Sequence, residues 1–145
     1  MVTAGDRGFP RRLRLLRPSE FSRVYDCRQS GAAGPLVLYA AVNEAPASGV
    51  RIGLSVSRRI GNAVVRNRWK RRLREAFRSI RGSLPVGNDF VLVVRSGDPP
   101  RGAEAARRVE ETIAALAERV IGRKGYASAR PVPRDAAAKK PKRRR

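Results

Sequence analysis

Histidine is absent from this 145-residue chain, and cysteine occurs once, as Cys27. The first absence excludes His-based catalytic triads and His-containing metal sites, and the second excludes internal disulfides and zinc sites built from several cysteines. No run of eighteen apolar residues is present, which excludes a transmembrane helix. Residues 1–20 lack an apolar stretch followed by a cleavage site, so we expect no secretory signal and a cytoplasmic protein.

Acidic residues are also scarce, at 12 against 33 basic residues, and the formal net charge is +21. A compact domain with this self-repulsion indicates a polyanionic partner, with nucleic acid ahead of an anionic membrane surface. The acids are scattered singly along the chain, whereas a metal-dependent protein nuclease needs clustered carboxylates. We therefore assign no catalytic side chain and no metal ligand.

The positive charge is concentrated in two segments. Residues 51–81 hold eleven basic residues and one acid, and residues 122–145 hold ten and one. The second segment has three prolines and no apolar periodicity, which predicts a disordered basic tail that attracts phosphates or, alternatively, a solvated tail without function. Residues 1–11 are predicted to be mobile, so residues 12–121 form a single domain.

Helical and strand patterns alternate through this domain. Ser19 is the predicted N-cap of a first helix that ends near Gly31. Strands are predicted at residues 36–42, 50–57 and 89–95, with the first two as a hairpin, and further helices at residues 65–81 and 103–121. The order α-β-β-α-β-α predicts an α+β sandwich with helices on a small central sheet and room for one more short strand.

The helix predicted at residues 65–81 separates apolar from basic side chains. At about 100° per residue, its apolar residues occupy one third of the circumference: Val65, Trp69, Leu73, Ala76, Phe77 and Ile80. Seven arginines and one lysine fill most of the remainder. Like charges four residues apart cost roughly 0.2–0.5 kcal/mol per pair, and cations at a helix start oppose its dipole.

Phosphates bound along this face would offset both the repulsion between like charges and the unfavourable interaction with the helix dipole. Nucleic-acid binding is therefore a better interpretation than a solvated basic face. Arginines around the whole exposed arc suit contacts to phosphates more than readout of bases. Folded RNA, with dense phosphates and structural Mg²⁺, is therefore the expected partner.

Residues 53–78, GLSVSRRIGNAVVRNRWKRRLREAFR, resemble the signature of the bacterial ribonuclease P protein component. In that family an Arg-Asn-Arg core opens a basic helix after a Gly-Asn-Ala-Val stretch, and Arg66, Asn67 and Arg68 stand in that setting. The segments RLRLLRPSEFSRVY, LVLYA and DFVLVVR extend the resemblance over residues 12–121. The resemblance implies an α/β sandwich with a left-handed βαβ crossover, against the usual right-handed rule.

The resemblance also implies a function. The chain would be a subunit of the endoribonuclease ribonuclease P, in which a catalytic RNA removes the 5′ leader of precursor tRNA by a Mg²⁺-dependent reaction. The implied partners are the catalytic RNA, with one protein per RNA, and precursor tRNA, without a membrane. The protein alone would bind no cofactor, and Mg²⁺ would be held mainly by RNA. A ribosomal or structural RNA-binding protein is the main competing interpretation, and a DNA-compacting protein is the third.

The residues that the resemblance assigns to binding form two groups. The RNA-binding group is Arg58, Arg59, Arg66, Asn67, Arg68, Lys70, Arg71 and Arg74. A cleft for the leader between the first helix and the sheet would use Phe21, Tyr25, Val37 and Tyr39, whose rings can stack on unpaired bases. Each of these four is alternatively a core residue.

The chain departs from the family pattern at three places. Gly34-Pro35-Leu36 stand where a basic residue and a Phe open the first strand, which puts an RNA contact there in doubt. Arg58-Arg59 replace a common Lys-Lys pair, which keeps the charge and alters its geometry. Trp69 replaces an aliphatic residue and is interpreted as a core change.

Overall fold

The computed structural model describes residues 11–43 and 49–132. Within these ranges it has three α-helices and a mixed four-stranded sheet, which confirms the α+β class. The elements are α1 (Pro18–Asp26), β1 (Ser30–Ala33), β2 (Leu36–Val42), β3 (Val50–Val56), α2 (Ala63–Ile80), β4 (Asn88–Val94) and α3 (Ala103–Ile121). β1 is the additional short strand for which the prediction left room.

The strands lie in the order β1-β2-β4-β3. β4 is antiparallel to β2, where Leu38 is opposite Leu92, and parallel to β3, where Ile52 is opposite Phe90. The predicted hairpin between residues 36–42 and 50–57 is therefore wrong, because β4 lies between the two strands. Alternation of apolar residues indicates the face on which a side chain lies and not the neighbouring strand.

α2 connects the two parallel neighbours β3 and β4, so these three elements form a βαβ unit. The resemblance implies that this crossover is left-handed, and its handedness stays a prediction. In the part of the chain that the structure describes, no helix has both the length and the apolar character needed to cross a membrane.

The sheet has two covered faces. Leu36, Leu38 and Ala40 of β2 belong to the main core, which also contains the buried residues of α2 and α3. Tyr39 and Ala41 alternate with them and pack with α1 on the opposite face. The two faces therefore offer separate surfaces, one built on α2 and the other on α1.

α2 is held to the main core by the side chains predicted for that role. Trp69, Leu73, Ala76 and Phe77 are buried, and the partly buried Val65 and Ile80 pack against them. The helix begins two residues earlier than predicted because Asn62 is its N-cap, with Oδ1 accepting a hydrogen bond from the Val65 N–H at 3.0 Å. The basic residues of α2 consequently face away from the core.

α1 differs from its prediction at both ends. Its N-cap is Arg17 rather than Ser19, because Pro18 occupies the first helical position, where its missing N–H is no loss. The helix ends at Asp26, well before Gly31. Arg28 has a φ of 58°, and this left-handed conformation turns the chain towards β1.

The chain continues its packing after α3. Tyr126 is only 3% exposed, and its hydroxyl donates a hydrogen bond to Asn88 Oδ1 at 2.7 Å. The backbone N–H of Val132 donates to the carbonyl of Asp26 at 3.1 Å. Residues 122–132 thus differ from the disordered tail predicted from residue 122. The rest of that tail, residues 133–145, and residues 1–10 lie outside the described residues.

A buried carboxylate joins α1 to the sheet. Asp89 of β4 has no exposed surface, and its oxygens accept hydrogen bonds from Arg51 Nε at 2.9 Å, Arg51 Nη2 at 2.7 Å, Asn43 Nδ2 at 2.8 Å and the guanidinium of Arg23. Arg51 also pairs with Glu20 at 3.0 Å. The hydrogen bonds that Arg51 donates to the Asp89 carboxylate raise the pKa of Arg51, which keeps this guanidinium charged.

We expect Asp89→Asn to lower the free energy of unfolding by about 3 kcal/mol, because it removes the carboxylate that two largely buried guanidinium groups share. Urea denaturation followed by circular dichroism measures the change. Asp98→Asn is the matched control, since Asp98 is exposed, and a change below about 0.5 kcal/mol is expected there. Equal midpoints for Asp89→Asn and the wild type would contradict this role of Asp89.

Candidate RNA-binding surfaces

The predicted RNA-binding residues all lie on α2 or in the short turn before it. Exposed members of the group are Arg58, Arg59, Asn67, Arg68, Arg71 and Arg74, and half-buried members are Arg66 and Lys70. We call this group the basic face. The turn Arg58–Ile60 contacts α2, so Arg58 and Arg59 extend the basic surface of the helix.

Arg66 is the least exposed arginine of the basic face. Its Nε atom is buried and has no hydrogen-bond partner within the described residues. A buried donor without an acceptor costs about 1–3 kcal/mol. A phosphate oxygen is an acceptor that would remove this cost.

Few acids balance the charge of α2. Glu75 is the only acidic residue between positions 51 and 81. Its carboxylate accepts a hydrogen bond from Arg71 Nε at 3.2 Å and lies 4.0 Å from Arg72 Nη1. Such exposed pairs contribute little stability, so the basic face keeps most of its positive potential for a ligand.

The four predicted cleft residues lie together on the opposite side of the sheet. Phe21 and Tyr25 are one helical turn apart on α1, and Val37 and Tyr39 are two residues apart on β2. All four are half-buried. The rings of Tyr25 and Tyr39 meet edge to face, with centroids 4.9 Å apart and an interplanar angle of 88°. We call this group the aromatic cleft.

Val93 and Gly53 belong to the same surface, and sequence reasoning did not select them. Val93 is half-buried and lies opposite Val37 across the β2–β4 pairing. Gly53 lies under Phe21, because a Cβ atom at position 53 would be 2.6 Å from Phe21 Cε1. A glycine inside an alternating strand is the signal that indicates such a close approach.

The ionisable groups beside the aromatic cleft are already paired. Partial burial by itself raises the pKa of Glu20, because it disfavours the charged form. Hydrogen bonds from the backbone N–H groups of Arg17 and Leu16, together with the charge of Arg51, outweigh it and lower the pKa of Glu20 below its usual range. Glu20 is therefore ionised at neutral pH and compensates Arg51. The cleft presents rings beside neutralised charge, whereas the basic face presents charge that is largely uncompensated.

No group of three or more Cys, Asp or Glu side chains that could hold a metal ion occurs within residues 11–43 and 49–132. The acids that do come close in space, Glu20 and Asp89, are bridged by Arg51. Their carboxylate oxygens are occupied by hydrogen bonds from protein groups, which is the arrangement of a structural network.

One family model and many relatives match this chain. Residues 9–119 match the Ribonuclease P family model. The chain is 45% identical over 84 residues to the ribonuclease P protein component of Brevibacillus brevis, a match that covers 58% of this chain and 66% of that protein. It is 42% identical over 82 residues to the protein of the same name from Bacillus cereus, which covers 57% of this chain and 70% of that protein.

Solved structures agree with these matches. The RNase P protein of Staphylococcus aureus superimposes with a TM-score of 0.52 and 25% identity, over 72% of this chain and 91% of that one. The RNase P protein of Thermotoga maritima superimposes with a TM-score of 0.51 and 29% identity, over 64% of this chain and 84% of that one. The resemblance found in the sequence is confirmed by both kinds of comparison.

Gly53→Ala is expected to displace the Phe21 ring and to lower the free energy of unfolding by about 1–3 kcal/mol, because its Cβ overlaps that ring. Urea denaturation measures the stability, and the Phe21 ring resonances in an NMR spectrum report the displacement. Gly82→Ala is the control, because a Cβ at position 82 meets no atom within 4 Å. Unshifted Phe21 resonances in Gly53→Ala would contradict the close approach.

Proposed function

The chain belongs to the Ribonuclease P protein family, and from this premise we propose that it binds the catalytic RNA of ribonuclease P and the 5′ leader of precursor tRNA. In this proposal the RNA performs the Mg²⁺-dependent endonucleolytic cleavage that produces the mature 5′ end. The protein supplies binding and no catalytic side chain, with one protein chain on each RNA. The proposal implies a cytoplasmic protein, since its RNA partners lie there.

The observation that carries this proposal is the separation of two surfaces with different chemistry. The basic face is on α2, which packs on one side of the sheet, and the aromatic cleft is under α1 on the other side. Surfaces on opposite sides of a sheet can engage two RNA elements at the same time. A subunit that holds a catalytic RNA and its substrate together needs this property.

The basic face is the proposed contact with the catalytic RNA. Guanidinium groups bind phosphates through paired hydrogen bonds, and the face is rich in arginine. Arg66 supports the assignment, because its buried Nε has no acceptor within residues 11–43 and 49–132. Binding would also relieve the repulsion between like charges that α2 carries at four-residue spacing.

The aromatic cleft is the proposed contact with the leader. The leader is single-stranded, so its bases are free to stack on the exposed parts of Phe21, Tyr25 and Tyr39. Val37 contributes apolar surface two residues from Tyr39 on β2. Stacking makes little distinction between bases, which suits a protein that must accept the leaders of many precursor tRNAs.

Mg²⁺ enters the proposal through the RNA. The protein by itself binds no cofactor, and the metal ions of the assembled enzyme are held mainly by RNA. The contribution of the protein is to neutralise phosphates with its arginines, which reduces the counterion concentration that the folded RNA requires.

Reconstitution tests the proposal directly. The purified protein is added to a bacterial ribonuclease P RNA at low Mg²⁺ with a precursor tRNA that carries its leader. We expect faster cleavage and tighter substrate binding than with the RNA alone. A ribosomal or other structural RNA-binding protein would give neither gain, and that result would reject the proposal.

Substitutions on the two surfaces should separate their roles. Arg68→Ala with Arg71→Ala is expected to raise the Kd for the catalytic RNA about tenfold or more, because two charge-assisted contacts are lost. Tyr25→Ala is expected to raise the apparent KM for leader-bearing precursor tRNA about fivefold or more, through lost stacking, with assembly unchanged.

The control for the arginine pair removes two charges elsewhere. Arg107→Ala with Arg123→Ala changes exposed side chains on or beyond α3, outside the basic face. Binding isotherms for the catalytic RNA and steady-state kinetics with and without a leader measure the two effects. Equal effects of the α2 and Tyr25 substitutions on assembly and on KM would contradict the division of roles.

A further inference from the structure

A groove of about 420 Å³ lies between α2 and the connection from β4 to α3. The side chains that line it come from both elements: Arg68, Arg71, Arg72, Glu75, Pro99, Pro100 and Arg101. Four guanidinium groups thus surround one carboxylate. Arg72 and Arg101 were not among the residues assigned to RNA binding from the sequence.

The charges in this groove are only partly compensated. Glu75 pairs with Arg71 at 3.2 Å and approaches Arg72 at 4.0 Å. Within the described residues, the exposed side chains of Arg68 and Arg101 make no hydrogen bond or ion pair. Two uncompensated guanidinium groups that face the same groove from different elements form a site for an anion.

Trp69 holds in place the connection from β4 to α3, which forms one side of the groove. It is the only tryptophan of the chain, it is fully buried, and its indole N–H donates to the carbonyl of Gly97 at 3.0 Å. Gly97 has a φ of 82°, which favours glycine, and Pro99 and Pro100 restrict the backbone that follows. Arg101 is therefore presented to α2 by a backbone with little freedom.

We propose that this groove binds a phosphodiester group of RNA between Arg68 and Arg101, and that Trp69 positions the loop that carries Arg101. The inference rests on the proposed function and assigns the phosphate to the catalytic RNA. The groove shares Arg68 and Arg71 with the basic face and lies on the opposite side of the sheet from the aromatic cleft.

The lining of the groove favours the RNA backbone over a base. None of the described residues that line it carries an aromatic ring, so these residues offer a base no ring on which to stack. Phosphate contacts fix the position of a protein on RNA and carry no sequence information. The inferred role is to fix the orientation of α2 on the catalytic RNA by a contact outside the helix itself.

Arg101→Gln in the full-length protein tests the inference. We expect the Kd for the catalytic RNA to rise about fivefold to tenfold, because one charge-assisted contact is lost. The slope of log K against log salt should become shallower by about 0.7–0.9, which corresponds to one phosphate contact. The KM for precursor tRNA should stay at the wild-type value.

Arg123→Gln is the matched control, because it removes the same charge at the other end of α3. Arg101 precedes this helix and Arg123 follows it, and 19 helical residues span about 28 Å. We expect Arg123→Gln to leave the Kd and the salt slope at the wild-type values.

Trp69→Phe tests the positioning role. Phenylalanine keeps most of the buried apolar surface and removes the N–H that binds the Gly97 carbonyl. We expect Trp69→Phe to weaken binding of the catalytic RNA, and Arg101→Gln to have a smaller effect in the Trp69→Phe background than in the wild type. Additive effects would contradict the positioning role, and the Arg101→Gln result stands independently of it.

The outcomes separate this inference from the function on which it rests. Unchanged Kd and salt slope for Arg101→Gln, in an assay where the wild-type protein binds the catalytic RNA, would overturn the groove and leave the proposed function intact. A raised KM for precursor tRNA with an unchanged Kd would overturn the assignment to the catalytic RNA. Failure of the wild-type protein to bind that RNA would overturn the proposed function itself.

Discussion

The buried carboxylate of Asp89 determines how α1 lies on the sheet. A desolvated carboxylate is stable only with its partners in place, and these come from α1 through Arg23, from β3 through Arg51, and from the residue after β2, Asn43. Because Arg23 must reach Asp89, α1 lies across the sheet with Phe21 and Tyr25 turned towards β2 and β3. The aromatic cleft is a consequence of this arrangement.

On the other side of the sheet, the arginines of α2 are tolerated because the opposite face of the helix is anchored in the main core. Trp69, Leu73 and Phe77 are fully buried, and this apolar contact outweighs the repulsion among neighbouring arginines. The free protein thus retains positive charge that its own acids do not neutralise. In the proposed function, an RNA ligand would supply the compensating negative charge. The buried Nε of Arg66, which has no acceptor among the described residues, is one atom that a phosphate oxygen would satisfy.

Much of this organisation was predictable from short-range patterns. The bounds of α3, the core side of α2 and the positions of the basic face follow from helical periodicity, which depends on residues within a few turns of one another. The placement of the four cleft residues on one side of the sheet followed from the family resemblance. The strand order did not follow, because periodicity leaves the neighbours of a strand undetermined. The Asp89 network was also missed, since Asp89 and Glu20 look like isolated acids in the sequence.

The sequence by itself determined which side of each helix is apolar and where the charge is concentrated, because both properties are local. The tertiary structure decided which distant residues meet. It inserted β4 between β2 and β3, returned Tyr126 to the core, and brought Arg101 opposite Arg68 across a groove. These contacts join segments that are far apart in the chain, and they depend on how whole elements pack against each other, which no local pattern encodes.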